Sequence, residues 1–313
     1  MKIGIGIFTF ILLSYSTSAQ INWQNIDSLY QPLPTSMHVF KSTDSIGDSS
    51  NVMYYTIVDL KDESLLFTAD TTQNRRFTPQ QFFEKNNGPL LVVNTSFFSY
   101  ATNQSLNVVV KEGRVVCYNE HSIPRRGKDT LTFSHSFFGA LGISKKRNAD
   151  IAWVLSDSSH RVLYASQTVI PHFSDSVNHI YFRELKRKFK KWKMQTVVGG
   201  GPVLIQENEV KISNNEELKF PNKGLTTRHP RTAIGYTNNG QLIIFVCEGR
   251  SETARGLDLL QMAKILQEIG CKEALNLDGG GSSCLLINGR QVNNPSDKEG
   301  QRAVPSVFMI ERK

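Results

Sequence analysis

Short runs of apolar residues, several alternating with polar ones and bounded by Gly, Asn and Pro, recur along this chain and predict strands. Val52 to Leu60 and Ser64 to Thr68 are strand-like and joined by the polar Lys61-Asp62-Glu63 turn. Leu90 to Val93 has the composition of a buried strand and delivers Asn94-Thr95-Ser96-Phe97-Phe98 at its end. Val108 to Val110 and Arg114 to Tyr118 predict a hairpin around Glu112-Gly113, and Phe137 to Ile143 with Ile151 to Leu155 a second strand pair. Thr196 to Val198 ends in Gly199-Gly200-Gly201-Pro202 before Val203 to Ile205. Arg231 to Tyr236 and Gln241 to Cys247 pair across Asn239-Gly240, a dipeptide suited to a tight turn. Leu275 and Leu277 lead into Asp278 and three glycines. Cys284 to Ile287 follows with an Asn288-Gly289 turn, and Val304 to Ile310 is the last strand.

Helical spacing is confined to a few segments. Thr78 as N-cap, Pro79 at the first position and Gln81 closing a capping box start one helix, which Gly88 ends. Asp258 and Gln261 start another in the same way; Leu259, Met262, Ala263, Leu266 and Ile269 form its apolar stripe, and Gly270 stops it. Arg183 to Trp192 reads as a basic helix with a solvated face, and Ile21 to Ser50 as a polar, irregular arm. Strands dominate and many are joined as hairpins. The expected fold class is α+β: a mixed, largely antiparallel β-sheet system with a few flanking helices, in a single domain over residues 51–313 after an arm at 20–50. No linker composition divides that span.

The first 19 residues stand apart. Lys2 precedes an apolar run from Ile3 to Leu13, and Thr17 and Ala19 occupy the small-residue positions of a cleavage site before Gln20. That pattern predicts a secretory signal peptide and a periplasmic or secreted protein. The run is too short for a permanent membrane anchor, and no other segment reads as a span. The formal charge is +8, with much of the excess between Arg183 and Lys193, a weak pointer to anionic polymers. Cys117, Cys247 and Cys284 lie in apolar strand-like runs, where a free thiol packs as a small core residue. With Cys271 they could also pair in an oxidising compartment, although no CxxC or zinc-like spacing occurs.

Candidate chemistry collects at strand ends and glycine turns. In Ala274 to Gly289, alternation puts Asn276 and Asp278 on one face and Leu275 and Leu277 on the other. Gly279, Gly280 and Gly281, followed by Ser282, could form a backbone cradle for a phosphate or a sugar hydroxyl. Equally, Asp278 could bond only the amides of its own turn. Gly200 and Gly201 make a second such turn. Asn94, Arg231, Glu248, Arg250, Asp278 and Arg302 complete a set of carboxylates and guanidiniums suited to an anion, since arginine donates in pairs to phosphate. His229 beside Arg228 and Arg231 adds a further donor or a structural histidine, and Arg231 could instead pair with Glu248 across its hairpin. No GxSxG elbow, P-loop, HExxH or EF-hand run is present, and no spacing pattern for a metal or organic cofactor is seen.

Three passages together resemble the phosphodiester glycosidases: Gly199-Gly-Gly-Pro-Val-Leu-Ile205, Arg231-Thr-Ala-Ile-Gly235 through Glu248-Gly-Arg250, and Ala274-Leu-Asn-Leu-Asp-Gly-Gly-Gly-Ser-Ser283. The Asp258 helix and Arg302-Ala-Val-Pro-Ser also fit, so the resemblance spans Leu90 to Ile310. Two positions depart from the family pattern: Thr95-Ser96 replaces a Gly-Gly pair, and Glu248 replaces an aspartate. The resemblance implies hydrolysis of the bond between a sugar's anomeric carbon and a phosphate oxygen in a glycan or cell-envelope polymer. The residue types suit catalysis by Glu248, Asp278 and Arg231, with Glu248 as base or nucleophile and Asp278 in sugar binding or as second carboxylate, or the reverse. Substrate binding falls to Asn94, Arg250, Asn276, Gly279, Gly280, Gly281, Ser282, Gly200, Gly201 and Arg302. A glycan or sugar-phosphate is the expected partner, not nucleic acid, and oligomeric state is left open. A glycosidase of a phosphate-free exopolysaccharide and a non-catalytic phosphoglycan-binding protein are the alternatives.

Overall fold

The computed structural model describes residues 20–125, 131–157, 162–178, 180, 185, 187–220 and 222–313. The expected signal segment at 1–19 and most of the first half of the expected basic helix lie outside the described residues.

Three large sheets carry the fold. An eight-stranded sheet runs Gln24–Asn25, Met37–Ser42, Met53–Asp59, Gln241–Cys247, Arg231–Thr237, Cys271–Asn276, Val203–Gln206, Glu209–Val210. A seven-stranded sheet runs Lys190–Lys191, Val162–Ser166, Ala149–Asp157, Phe138–Ile143, Thr196–Gly199, Val109–Lys111, Arg114–Cys117. A five-stranded sheet runs Arg290–Gln291, Leu285–Ile287, Leu91–Asn94, Ser306–Arg312, Leu65–Thr71. A small sheet joins Phe173–Asp175, Phe133–His135 and Ser122–Pro124. The strand pairings among the described residues are antiparallel, so the expected mixed sheet is corrected: the connections are mostly hairpins and sheet-to-sheet turns, which reverse the chain.

The largest core cluster lies where the three sheets face one another. Val39, Val58 and Leu275 from the first sheet meet Trp153, Leu141 and Val198 from the second and Leu91, Val93 and Phe308 from the third. Strand alternation gives the eight-stranded sheet a second apolar face, with Ala233, Ile243, Phe245 and Ala274, and the helix Leu259–Ile269 covers it with Leu259, Met262, Ala263 and Leu266. Burying each of that helix's large side chains contributes about 1.5–3 kcal/mol. Its capping box between Asp258 and Gln261 and its left-handed Gly270 are as the sequence predicts. The helix Pro79–Lys85 covers the five-stranded sheet through Phe82, and its Thr78–Gln81 box is also present.

Two expectations change. Met37–Ser42 is not an irregular arm but a full strand paired with Met53–Asp59; Met37 and Val39 are buried, while His38, Lys41 and Ser42 make the stretch look polar in sequence. The expected helix through Trp192 ends as the strand Lys190–Lys191, because Phe189 and Trp192 turn into the core and only the lysines face solvent. The four thiols are free, and Cys247, Cys271 and Cys284 are buried core residues. No helix among the described residues is long and apolar enough to cross a membrane.

Two features of this topology position the chemistry. Thr196–Gly199 belongs to the seven-stranded sheet and Val203–Gln206 to the eight-stranded one, so Gly200-Gly201-Pro202 is where the chain changes sheet. Cys271–Asn276 and Leu285–Ile287 likewise lie in the eight- and five-stranded sheets, so Asp278 to Ser283 is a second such crossing.

Candidate active site

The two crossings touch. Gly201 N donates to Asn276 O at 2.8 Å, Asn276 N to Pro202 O at 3.1 Å, and Asn276 Nδ2 to Gly201 O at 2.8 Å. A Cβ on Gly200 would strike Asn276 O, so only glycine permits the approach. Asn94, at the end of its strand, pins the third sheet to the same point. Its Nδ2 donates to Asp278 O at 2.6 Å, and its Oδ1 accepts from Thr232 Oγ1 and Cys284 N. Asp278 N donates to Thr95 O at 2.8 Å. Asn94 and Asn276 are thus buried tie-points that fix the backbone on either side of Asp278.

The glycines at 279–281 supply clearance more than donors. Gly280 N donates to Pro230 O, and Ser282 N and Ser283 N donate to the carbonyls of Gly279 and Gly280, so most amides of the turn are already engaged. The Gly279 amide donates to Asp278 itself. What the missing Cβ atoms allow is the close approach of cations. A Cβ on Gly280 would lie 2.9 Å from Arg250 Nη2, and one on Gly281 would overlap Arg302 Nη2 and Asp297 Oδ1. Arg250 and Arg302 therefore reach the turn from two other loops, where side chains on it would hold them off. Arg302 donates in pairs to Asp297, at 2.7 and 2.9 Å.

Glu248 and Arg250 are drawn to the same side by the segment that carries Asp297. Glu248 Oε1 accepts from Asn294 N at 2.8 Å and from the Tyr54 hydroxyl at 3.3 Å. Arg250, at φ +64°, directs Nη1 to Ser296 Oγ at 3.5 Å. The expected alternative pairing of Arg231 with Glu248 is not made. Arg231 lies opposite Cys247 in the hairpin and turns the other way, donating through Nε to Leu257 O and through Nη2 to Thr227 O. Burial brings the Arg231 guanidinium down to about 10. It braces the loops behind the site. His229 has a buried Nδ1 with no partner among the described residues, and burial together with Arg231 and Arg250 lowers its pKa, favouring the neutral ring.

A lysine completes the arrangement. Lys219 follows a short helix, Asn214–Glu217, after Leu218 turns the chain in the left-handed region. Its Nζ sits between two rings, 4.3 Å from the centre of Phe97 and 4.1 Å from that of Phe138. The Gly201 face is bare of Cβ where the Lys219 stem and the Glu217 carboxylate pass. Glu217 is fully buried and accepts four hydrogen bonds: from Ser213 Oγ, Val203 N, Trp153 Nε1 and Gly139 N. Burial brings the Lys219 ammonium down to about 8, while the Glu217 and Asp278 carboxylates pull it up. Burial pushes the Asp278 carboxyl up to about 6, against the Ser282 hydroxyl, the Arg302 charge, the Gly279 amide and the Lys219 charge. The centre is therefore a carboxylate that can take a proton near neutrality, with Lys219 and Arg302 as its cationic neighbours. Among the described residues no three His, Cys, Asp or Glu side chains gather as a metal site would require.

Lys219, Glu217 and Asp297 are absent from the sequence-derived set. Lys219 stands in a polar stretch with nothing local to mark it. The two departures from the family pattern also acquire a place. Thr95 and Ser96 are buried; Thr95 Oγ1 turns to Ser306 Oγ at 2.9 Å, and Ser96 Oγ has no partner among the described residues. The longer Glu248 side chain is held at Oε1 by Asn294 and Tyr54.

The family model described as phosphodiester glycosidase matches residues 87–311. The chain belongs to the phosphodiester glycosidase family. Curated relatives match about a third of the chain or less. The N-acetylglucosamine-1-phosphodiester alpha-N-acetylglucosaminidases of mouse and human are 35% and 34% identical over 102 residues, which is 32% of this chain and 20% of each of those proteins. The SPbeta prophage-derived uncharacterized protein YomE of Bacillus subtilis is 41% identical over 86 residues, 28% of this chain and 13% of that one. The chain thus matches a fifth or less of the length of these relatives. In fold it is similar to the zebrafish N-acetylglucosamine-1-phosphodiester alpha-N-acetylglucosaminidase catalytic domain auto-inhibited by pro-peptide. That likeness has a TM-score of 0.61 and 21% identity, and covers 94% of this chain and 89% of that one. A hypothetical protein from Synechocystis has a TM-score of 0.65 at 14% identity, covering 93% and 64%.

Proposed function

We propose that this chain hydrolyses a sugar–phosphate diester at the anomeric bond, releasing the free sugar and a phosphate monoester. The observation that carries this is the Asp278 carboxylate, held on a glycine turn whose bare faces admit the guanidiniums of Arg250 and Arg302, with Lys219 beside it. A carboxylate poised near neutrality is suited to accept a proton from water. In the proposed reaction the water oxygen bonds to the anomeric carbon, and the bond from that carbon to the phosphate oxygen breaks with its electron pair on the phosphate. The proton lost by water goes to Asp278. A phosphate monoester has a second pKa near 6, so it departs without prior protonation. Arg250 and Lys219 hold charge where the leaving phosphate develops it, with Arg302 beside them tied to Asp297, and this lowers the barrier more than it stabilises the bound substrate. Glu248, fixed at one oxygen by Asn294 and Tyr54, is assigned to orienting the sugar, and Arg231 to bracing the loops; this is the reverse of the first assignment of the two carboxylates.

Family membership supports this reaction class. The mouse and human relatives carry N-acetylglucosamine in their names, and an N-acetylated amino sugar is a reasonable first substrate here. The apolar run before Ala19 supports export to a periplasm or beyond, which would place glycans and envelope polymers within reach. The test is phosphate-monoester release from a panel of sugar-1-phosphodiesters, beside matching neutral glycosides. Release from the diesters alone, lost in Asp278→Asn, supports the reading. Turnover of the neutral glycosides alone, or glycan binding without turnover, would overturn it.

A further inference from the structure

A groove of about 730 Å³ opens beside the glycine turn. Asp297 and Arg302 line it, and the same two side chains crowd Gly281, so the groove adjoins the turn. Arg76 lines the same groove. Its guanidinium lies 5.0 Å from the centre of the Phe98 ring and 4.8 Å from that of Tyr100. Stacking of this kind fixes a planar cation in orientation while leaving its in-plane donors free. Among the described residues Arg76 makes no ion pair or hydrogen bond, in contrast to Arg302 and Arg231, each of which donates through Nε and Nη2. Tyr100 is 62% exposed and lines the groove together with both arginines. Asp297 is neutralised by Arg302, leaving Arg76 and Lys298 against Glu299 along the groove.

We infer that this groove is a subsite for the leaving-group side of the substrate, and that it takes a second phosphate one unit beyond the scissile diester, on Arg76. The inference rests on the phosphodiester reading above and deepens it. The substrate class becomes a polymer of repeating phosphodiesters, rather than a sugar phosphate with a small neutral aglycone. A free, pre-oriented guanidinium is suited to a tetrahedral oxyanion that accepts paired hydrogen bonds. The exposed ring of Tyr100 offers a surface for the unit between the two phosphates.

Two synthetic substrates with the same sugar-1-phosphodiester test this, one ending in glycerol and one in glycerol phosphate; a third ending in a uronate separates phosphate from carboxylate. The expected result is a kcat/KM ratio, glycerol phosphate over glycerol, of about tenfold or more in the intact chain, the size of one charged hydrogen-bonded contact. It should fall towards one in Arg76→Ala and fall less in Lys298→Ala, with thermal melts confirming that both variants are folded. A ratio near one in the intact chain, a ratio unchanged in Arg76→Ala, or equal preference for the uronate would overturn the proposal. If no substrate is turned over, the reaction reading fails separately. Calorimetry with a glycerol phosphate oligomer then decides the subsite: binding lost in Arg76→Ala upholds it, and equal binding by the variant or none by the intact chain refutes it.

Discussion

The proximity of Asp278 and Lys219 makes the pH dependence of this protein a direct reading of its site. In the proposed reaction Asp278 must be ionised to accept a proton, and Lys219 must be protonated to attract phosphate. Burial places the first group at about 6 and the second at about 8. Activity is then a bell centred near pH 7, where about 80% of molecules carry both groups in the working form. At pH 5 Asp278 is about 90% protonated, and at pH 9 Lys219 is about 90% neutral, so each flank falls roughly tenfold. Replacing Lys219 by methionine keeps an unbranched side chain between Phe97 and Phe138 and removes the charge. Two changes follow. The alkaline flank disappears, because no group there needs its proton. The acidic flank moves above pH 6, because a cation that favoured the Asp278 carboxylate is gone. The assay is initial-rate phosphate-monoester release from pH 4.5 to 9.5 at constant ionic strength, with substrate well below KM. An alkaline flank that survives unchanged in Lys219→Met, or an acidic flank that moves down, would refute the reasoning.

Other outcomes follow from the same contacts. Asp278→Asn should lower kcat by about 100- to 10,000-fold with an unchanged circular dichroism spectrum. Glu217→Gln puts donors against donors in a fully buried site; it should cost on the order of 3 kcal/mol and lower the melting temperature by roughly 6–10 °C in a thermal scan. Gly281→Ala pushes Asp297 and Arg302 off the turn and should raise KM for the phosphodiester, read from steady-state kinetics. Burial raises the Cys247, Cys271 and Cys284 thiols to about 12, so iodoacetamide at pH 7.5 should leave these three unlabelled in the native protein and label them in urea, as counted by mass spectrometry.

Local signals in the sequence were sufficient for much of the secondary structure. The capping boxes at Thr78 and Asp258 and the hairpins at Glu112-Gly113, Asn239-Gly240 and Asn288-Gly289 depend on neighbours a few residues away, and they form as read. Whether a turn closes a hairpin or carries the chain to another sheet is decided by distant partners. Lys61-Asp62-Glu63 joins strands of two different sheets, and nothing local distinguishes it from a hairpin turn. Met37–Ser42 carries little apolar signal in sequence because only two of its side chains, Met37 and Val39, face the core cluster. At the site, Asp278, Arg250 and Arg302 could be singled out because glycines adjoin them or a guanidinium suits the chemistry. Lys219 could not, because its role comes from the approach of Phe97, Phe138 and Gly201, each from a separate part of the chain. Asn94 and Arg231 were found for their polarity, yet their hydrogen bonds go to the protein's own backbone and side chains.

The two glycine turns also bear on how the molecule assembles. Between them they link all three sheets, and Asn94 pins the five-stranded one to the Asp278 turn, so the groups around Asp278 come together only once all three sheets have docked. Contacts of such long sequence separation form late in folding and slow it. Catalytic competence should therefore be the last property acquired during refolding, appearing after the strands register and the thiols become inaccessible. The converse holds on the way out: slippage at any one sheet boundary disperses the centre while most of the hydrogen-bonded ladders survive. Under mild denaturant, loss of turnover would then precede loss of far-ultraviolet ellipticity, making enzymatic rate a more sensitive gauge of partial disassembly than secondary structure.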